Sequence, residues 1–401
     1  MRKHTALFFV IMFLIGTDTF LISPLLPTLQ TQFGVSTGHA GWMLGAYTLG
    51  SAVFALIAGP LSDGWNRRTV LVCGLLGFAV STALCGFAGG FWAMCLFRLL
   101  AGISAAFTAP QVWASIPVVM PPARIGKTMG VAFGGLAAAQ AFGVPIGSWL
   151  ATADWSVPFW TIGIAALVLA AVAFFALPDI KPAASAGERT AILRRYVPLI
   201  ASGKARSGFL GYLFLHLGSG TAFAFAGKWM ADRFALPLGQ IGTVMMFLGF
   251  GTLLGSMISS YAARKLGTAT TAVAVSMSMV AALYAVMPHL TSLPAVTIAY
   301  LIIFATLGIV FPIVMGALTS LNASIRGTIS SLANSTMNGA NTLGAWAAGL
   351  LYVQFGGYAS IGIFSAACLA LSLGTFLFGG VLSPNADRAG RESASAPQAP
   401  S

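Results

Sequence analysis

Residues 5–29 read TALFFVIMFLIGTDTFLISPLLPTL. A helix needs about 20 apolar residues to cross the ~30 Å hydrocarbon core of a bilayer, and this run is long enough. Its single charged residue is Asp18. A charge at that depth costs about 2.5–3.5 kcal/mol on insertion scales, so it points to function rather than packing. A lone carboxylate at membrane depth suits a machine driven by protons.

The rest of the chain extends the pattern. Of its 401 residues, 58% are hydrophobic and 7% charged, whereas a soluble domain averages about 25% charged. A soluble fold this apolar would expose large patches, so lipid is the expected solvent. Further spans are expected near 39–61, 69–88, 91–115, 127–151, 156–177, 208–230, 238–262, 268–288, 293–317, 328–352 and 357–381. The alternating ten-residue segments of a transmembrane β-barrel are absent from the sequence. The expected fold is therefore all-α and integral to the membrane, with twelve helices in two pseudo-symmetric six-helix bundles. These would occupy 1–178 and 208–382, joined by a cytoplasmic linker loop over 179–207. Within the loop, 191–201 could form a surface helix. The tail, 383–401, is rich in Ser, Ala and Pro and reads as disordered.

The halves carry a weak repeat. GPLSDGWNRR at 59–68 and GSMISSYAAR at 255–264 share a glycine-to-arginine spacing of nine. The N-terminus has the basic start of a signal peptide, Arg2 and Lys3, but no small-x-small cleavage site, and reads as the first span. Cys73, Cys85, Cys95 and Cys368 lie in apolar runs without a CxxC pair, so no metal or redox site is expected. Cys85 and Cys95 flank a short turn; buried free thiols are expected there over a disulfide.

Charge fixes an orientation. With the N-terminus in the cytoplasm, seventeen of the 20 Lys and Arg residues fall on that side, with five of the eight acids. The excess equals the whole net charge of +12, which is the positive-inside pattern. The basic loops then face anionic headgroups, and nucleic-acid binding is not needed to explain the pI. Both termini would be cytoplasmic and the protein multi-pass in the inner or plasma membrane.

Residues 59–68 resemble the signature between spans two and three of the major facilitator superfamily, G-x-L-(a/s)-D-(r/k)-x-G-(r/k)-(r/k). Gly59, Leu61, Ser62, Asp63, Arg67 and Arg68 match, while Gly64 and Asn66 depart from it. The resemblance implies that this loop latches the cytoplasmic ends of the halves, with Asp63 facing a helix N-terminus. Arg98 and Gly102 resemble the R-x-x-q-G-x-g motif of proton-driven drug antiporters, with Ala101 in place of glutamine. Gly143, Pro145, Gly147 and Ser148 resemble their span-five motif in the variant of the drug and sugar efflux branch. Span one resembles that of bacterial multidrug and arabinose-type efflux carriers. What this implies is proton-coupled efflux of small lipophilic or cationic compounds by alternating access, without a cofactor and by a monomer. Sugar or metabolite efflux is the alternative. The enzyme motifs H-E-x-x-H, G-x-S-x-G and the phosphate loop are absent from the sequence, and a channel lacks its filter.

Asp18 lies about 20 Å along its span and Arg98 about 10 Å into one running the opposite way. Their depths agree, so a proton-coupling pair is expected, with proton, Arg98 and cationic substrate competing at Asp18; a permanent structural ion pair is the alternative. Weaker cavity candidates are the polar Gln111, Gln140, His216, Asn334, Asn338 and Asn341, each of which helix–helix hydrogen bonding could explain as well. Tyr47, Trp113, Phe223 and Phe311 would suit a greasy aromatic pocket.

Overall fold

The computed structural model describes residues 2–62, 65–179, 196–322 and 325–382. Asp63, the loop over 180–195 and the tail from Ser383 fall outside these, and with them the expectations of a latching aspartate and a disordered tail. Regular structure among the described residues is helical. Twelve long helices follow in order: α1 (Arg2–Phe33), α2 (Trp42–Ser62), α3 (Arg67–Cys85), α4 (Phe91–Val119), α5 (Pro122–Leu150) and α6 (Val157–Ala176). Then come α7 (Gly203–Phe234), α8 (Leu238–Lys265), α9 (Ala269–Val286), α10 (Leu293–Ser320), α11 (Arg326–Gln354) and α12 (Tyr358–Phe378).

Eleven of these are long and apolar enough to cross a membrane. The twelfth, α11, has 29 residues but carries Asn334, Asn338 and Asn341; it packs on α2 and α7. Helix ends run past the expected ones: α1 reaches Phe33 and α7 starts at Gly203. The added turns are polar, where hydropathy carries no signal, and side chains set them. Ser202 accepts from the Ala205 N–H (3.3 Å), Thr268 from Thr271 (3.0 Å) and Asn66 from Arg68 (3.0 Å); such caps satisfy amide donors left open in a first turn. Of the expected surface helix, Val197–Ala201 is helical, and Tyr196 before it donates to the Leu56 carbonyl at 3.2 Å.

Each half repeats one packing scheme. In the first, α2 packs on α4, α3 on α4 and α6, and α1 on α5; in the second, α8 packs on α10, α9 on α10 and α12, and α7 on α11. Glycines set the register. Gly50 approaches the Leu99 carbonyl as Gly255 approaches that of Ala305, and Gly102 meets the Tyr47 carbonyl as Gly308 meets that of Thr252. Gly255 is therefore the counterpart of Gly50, not of Gly59. The nine-residue repeat is corrected on that ground: Gly255 and Arg264 both lie inside α8, whereas Arg67 and Arg68 open a new helix.

Successive helices alternate in direction, giving two ends. One, the basic face, bears Arg67, Arg68, Arg124, Lys127, Lys204, Arg206, Arg264 and Lys265. The opposite, far face bears Lys228, paired with Asp232 at 2.6 Å. All four cysteines are free thiols.

Candidate functional site

Three contacts of α1 build the site. Toward α5, Gly16 packs on Ala139, while Gly143 sits against Thr17 and Gly147 against Leu21. Toward α7, Ser23 donates to the Phe223 carbonyl at 2.5 Å, and Gly227 lies on the Ser23 carbonyl. Toward α4, Asp18 meets Arg98.

That last contact is an ion pair sealed from solvent. The Arg98 Nη1 donates to Asp18 Oδ2 at 2.7 Å, and Nη2 donates to the Asp18 backbone carbonyl at 3.2 Å. Both side chains have 0% exposure. Tyr47 of α2 lies under the guanidinium, 4.4 Å from it to the ring centroid. The Thr19 hydroxyl hydrogen-bonds that of Tyr47 at 3.1 Å. Asp18 Oδ1 and Arg98 Nε are buried without a hydrogen-bond partner. Each half of the pair thus keeps one unused polar atom, and unpaired buried polar atoms are where a network can rearrange.

Tyr47 is 3% exposed, so it serves as a platform for Arg98 instead of lining a pocket with the other aromatics. Those fall into separate groups. Trp113 stacks on Phe133 (4.3 Å), Phe223 meets Phe20 edge-on (5.7 Å), and Phe311 stacks on His216 (5.0 Å). His216 is held between Phe311 and Tyr212, and its Nε2 has no hydrogen-bond partner.

The amides divide between seam and helix. Gln140 accepts from Thr252 of α8 at 2.9 Å and so bridges the halves. Asn338 donates to the Asn334 carbonyl and side chain at 2.9 and 2.8 Å within α11. Asn341 packs against Gly220 of α7, and Gln111 is buried in α4. A second polar crossing joins α2 to α11, where Thr48 hydrogen-bonds Thr342 at 2.8 Å and Ser335 donates to the Ala52 carbonyl at 2.7 Å.

The span-five motif has a physical cause. Ala139–Gly143 forms a π-turn, closed by the Val144 N–H on the Ala139 carbonyl. Pro145 follows, and in a regular helix its ring would collide with the carbonyl four residues back; the wider turn relieves this. Single π-turns of this sort recur at functional sites. The helix is then clasped on both sides, because Gly242 and Gly249 of α8 meet Ser148 and Ala141.

At the basic face, Gly59 and Leu61 belong to the last turn of α2. Arg67 and Arg68 open α3, and Arg68 reaches Asp179 at 2.7 Å and the Leu177 carbonyl at 3.2 Å. It also lies over the Phe174 ring. The described part of the motif therefore fastens α3 to the end of α6 within one half. The expectation of a latch between halves does not extend to Arg68. Asn66, which breaks the family pattern, caps α3 and donates to Asp179 at 2.8 Å. The preference of Asn for helix caps was the signal for it.

The repeat shows where the pair has no twin. Gly16 on Ala139 matches Gly220 on Asn341, and Gly143 on Thr17 matches Gly344 on Thr221. With the α4 register, this pairs Asp18 with Ala222 and Arg98 with Phe304. The Ala222 carbonyl accepts from Tyr358 (2.8 Å), whose hydroxyl meets that of Tyr300 (3.0 Å). A neutral hydroxyl chain stands where the first half holds its charges.

Comparison with known proteins gives a consistent picture. Residues 8–340 match the family model described as Major Facilitator Superfamily. The chain is 45% identical over 367 residues to an uncharacterised MFS-type transporter of Bacillus subtilis (strain 168), YceJ, covering 92% of this chain and 94% of that one. It is 24% identical over 245 residues to a chloramphenicol resistance protein of Streptomyces lividans, covering 61% and 62% of the two chains. Among solved structures, a D-xylose–proton symporter superposes with a TM-score of 0.74 at 15% identity, over 95% of this chain and 97% of that one.

Proposed function

The chain belongs to the Major Facilitator Superfamily and is a multi-pass transporter rather than an enzyme, and from that premise we propose proton-coupled efflux of small lipophilic or cationic compounds. The observation that carries the reading is the solvent-free pair of Asp18 and Arg98. In this reading the basic face is cytoplasmic, by the positive-inside pattern.

The chemistry follows from what a proton does to the pair. Ionised, Asp18 satisfies Arg98 and fixes α1 against α4. Protonated, it withdraws the countercharge and leaves Arg98 buried, a situation that costs about 3–5 kcal/mol when a buried pair is broken. Relief comes from moving α1 against α4, or from a new arrangement of Arg98. Because α1 also carries the Ser23 crossing to α7, a shift at Asp18 bears on the seam. A cationic substrate that competes for the carboxylate would exchange with the proton. The two halves would then rock about the central seam, as in transporters built from repeats. The chloramphenicol resistance protein among the relatives supports a drug-like compound as the cargo.

The test uses vesicles with the basic face outward and an imposed inside-acid pH gradient. Adding a transported compound should dissipate the gradient in proportion to its uptake. Uptake with no proton movement at any pH would contradict the proposal.

A further inference from the structure

We propose that a groove between the start of α1 and the last turns of α6 binds one anionic phospholipid from the basic-face leaflet. The groove has a volume of about 630 Å³ and is lined by Lys3 and His4 above and by Val168, Ala171, Val172 and Phe175 below. Two chemistries are stacked along the membrane normal there. Lys3 is exposed at the mouth. From Phe175 down to Val168 the wall is apolar for about 10 Å of helix, and Val168 and Phe175 are 57% and 84% exposed.

The surrounding charges favour an anion. A helix C-terminus carries partial negative charge that would repel a phosphate. Here that end is covered: His4 Nε2 lies 3.0 Å from the Ala176 carbonyl, and Arg68 donates to the Leu177 and Phe174 carbonyls at 3.2 and 3.4 Å. Asp179, just beyond α6, is engaged by Arg68 and Asn66. Lys3 is left to meet a headgroup phosphate while an acyl chain lies along the α6 wall. A free phosphate ion would use only the mouth, so the apolar wall selects a lipid. The site is separate from Asp18 and does not depend on proton coupling.

The test takes the full chain in nanodiscs of equal phosphatidylglycerol and phosphatidylcholine, extracts it in mild detergent, and reads retained lipid by native mass spectrometry. One phosphatidylglycerol per chain should be retained, at least about five-fold over phosphatidylcholine, the worth of one lysine beside an anionic surface. Lys3→Gln should bring the two lipids to near parity, and Lys3→Arg should keep the preference. Val172→Trp, at a lipid-facing position that tolerates bulk, should fill the groove and abolish retention with the melting temperature unchanged. Equal retention of both lipids by the native chain would overturn the proposal. So would a preference that survives Lys3→Gln, or retention that survives Val172→Trp.

Discussion

Arg98 grips residue 18 twice, through the Asp18 carboxylate at 2.7 Å and through its backbone carbonyl at 3.2 Å. The second bond ties the guanidinium to the α1 main chain. The geometry needs a planar donor fork. Arg98→Lys keeps the charge but offers a compact ammonium, which cannot span both acceptors and loses the stacking surface of Tyr47. Transport should fall at least about ten-fold, equivalent to ~1.4 kcal/mol, with membrane insertion retained. Counterflow of substrate in proteoliposomes checks this, and native rates for Arg98→Lys would show the fork to be dispensable.

Tyr47 separates ring from hydroxyl. Tyr47→Phe keeps the face under Arg98 and loses only the bond to Thr19, so melting in detergent should shift by no more than the ~1 kcal/mol of one hydrogen bond. Tyr47→Leu removes the ring, whose attraction for a desolvated cation is worth about 2 kcal/mol. It should therefore lower both stability and transport. Equal effects of the two substitutions would place the importance in the hydroxyl.

Gly102 lies where α4 crosses α2, and a Cβ there would strike the Tyr47 carbonyl. Gly102→Ala must push the helices apart at the level of Arg98. We expect a loss of about 1–3 kcal/mol, typical of overpacking, together with impaired transport. Gly134→Ala is the control, since nothing lies within 4 Å of its added methyl. Comparable melting of both variants would refute the close approach.

Much of this was legible in the residues. Apolar runs of spanning length gave the helices, and residue counts put Asp18 and Arg98 at one depth. Helix ends at Phe33 and Gly203 are not legible there, because polar turns beyond the hydrocarbon leave no hydropathy signal. The place of Tyr47 under Arg98 has no local signature, because it depends on the α2–α4 register, which Gly102 fixes only in three dimensions. The repeat is likewise set by packing: equal glycine-to-arginine spacings do not align the halves, whereas the close approaches equate Gly255 with Gly50. Contacts across the seam, such as Thr252 with Gln140, join residues 112 apart and have no local signature.

That seam bond makes its own prediction. Thr252→Val removes the donor to Gln140 while keeping its shape. Losing about 1 kcal/mol from the α5–α8 contact should raise the population with the two halves parted there roughly five-fold. Spin labels at Ala153 and Ala235, in a background lacking Cys73, would show a longer distance gaining weight. An unchanged distribution would mean that glycine packing alone holds the seam.

The Arg68 fastening should matter little to stability. Its side chain and that of Asp179 are 24% and 55% exposed, and exposed pairs contribute about 0–1 kcal/mol. Arg68→Gln should therefore melt within a few degrees of the native protein. A larger loss would assign the bonds to the α6 carbonyls a weight beyond that of the ion pair.

Asp18→Asn bears most directly on the coupling role, because it removes the titrating group and keeps the shape. Native and Asp18→Asn protein would be reconstituted side by side and proton movement read as a transported compound is added. The expected result is folded protein that still exchanges substrate but moves no protons with it and shows no dependence of exchange on the pH gradient. Proton movement in Asp18→Asn at the native ratio to substrate would contradict the role given to Asp18.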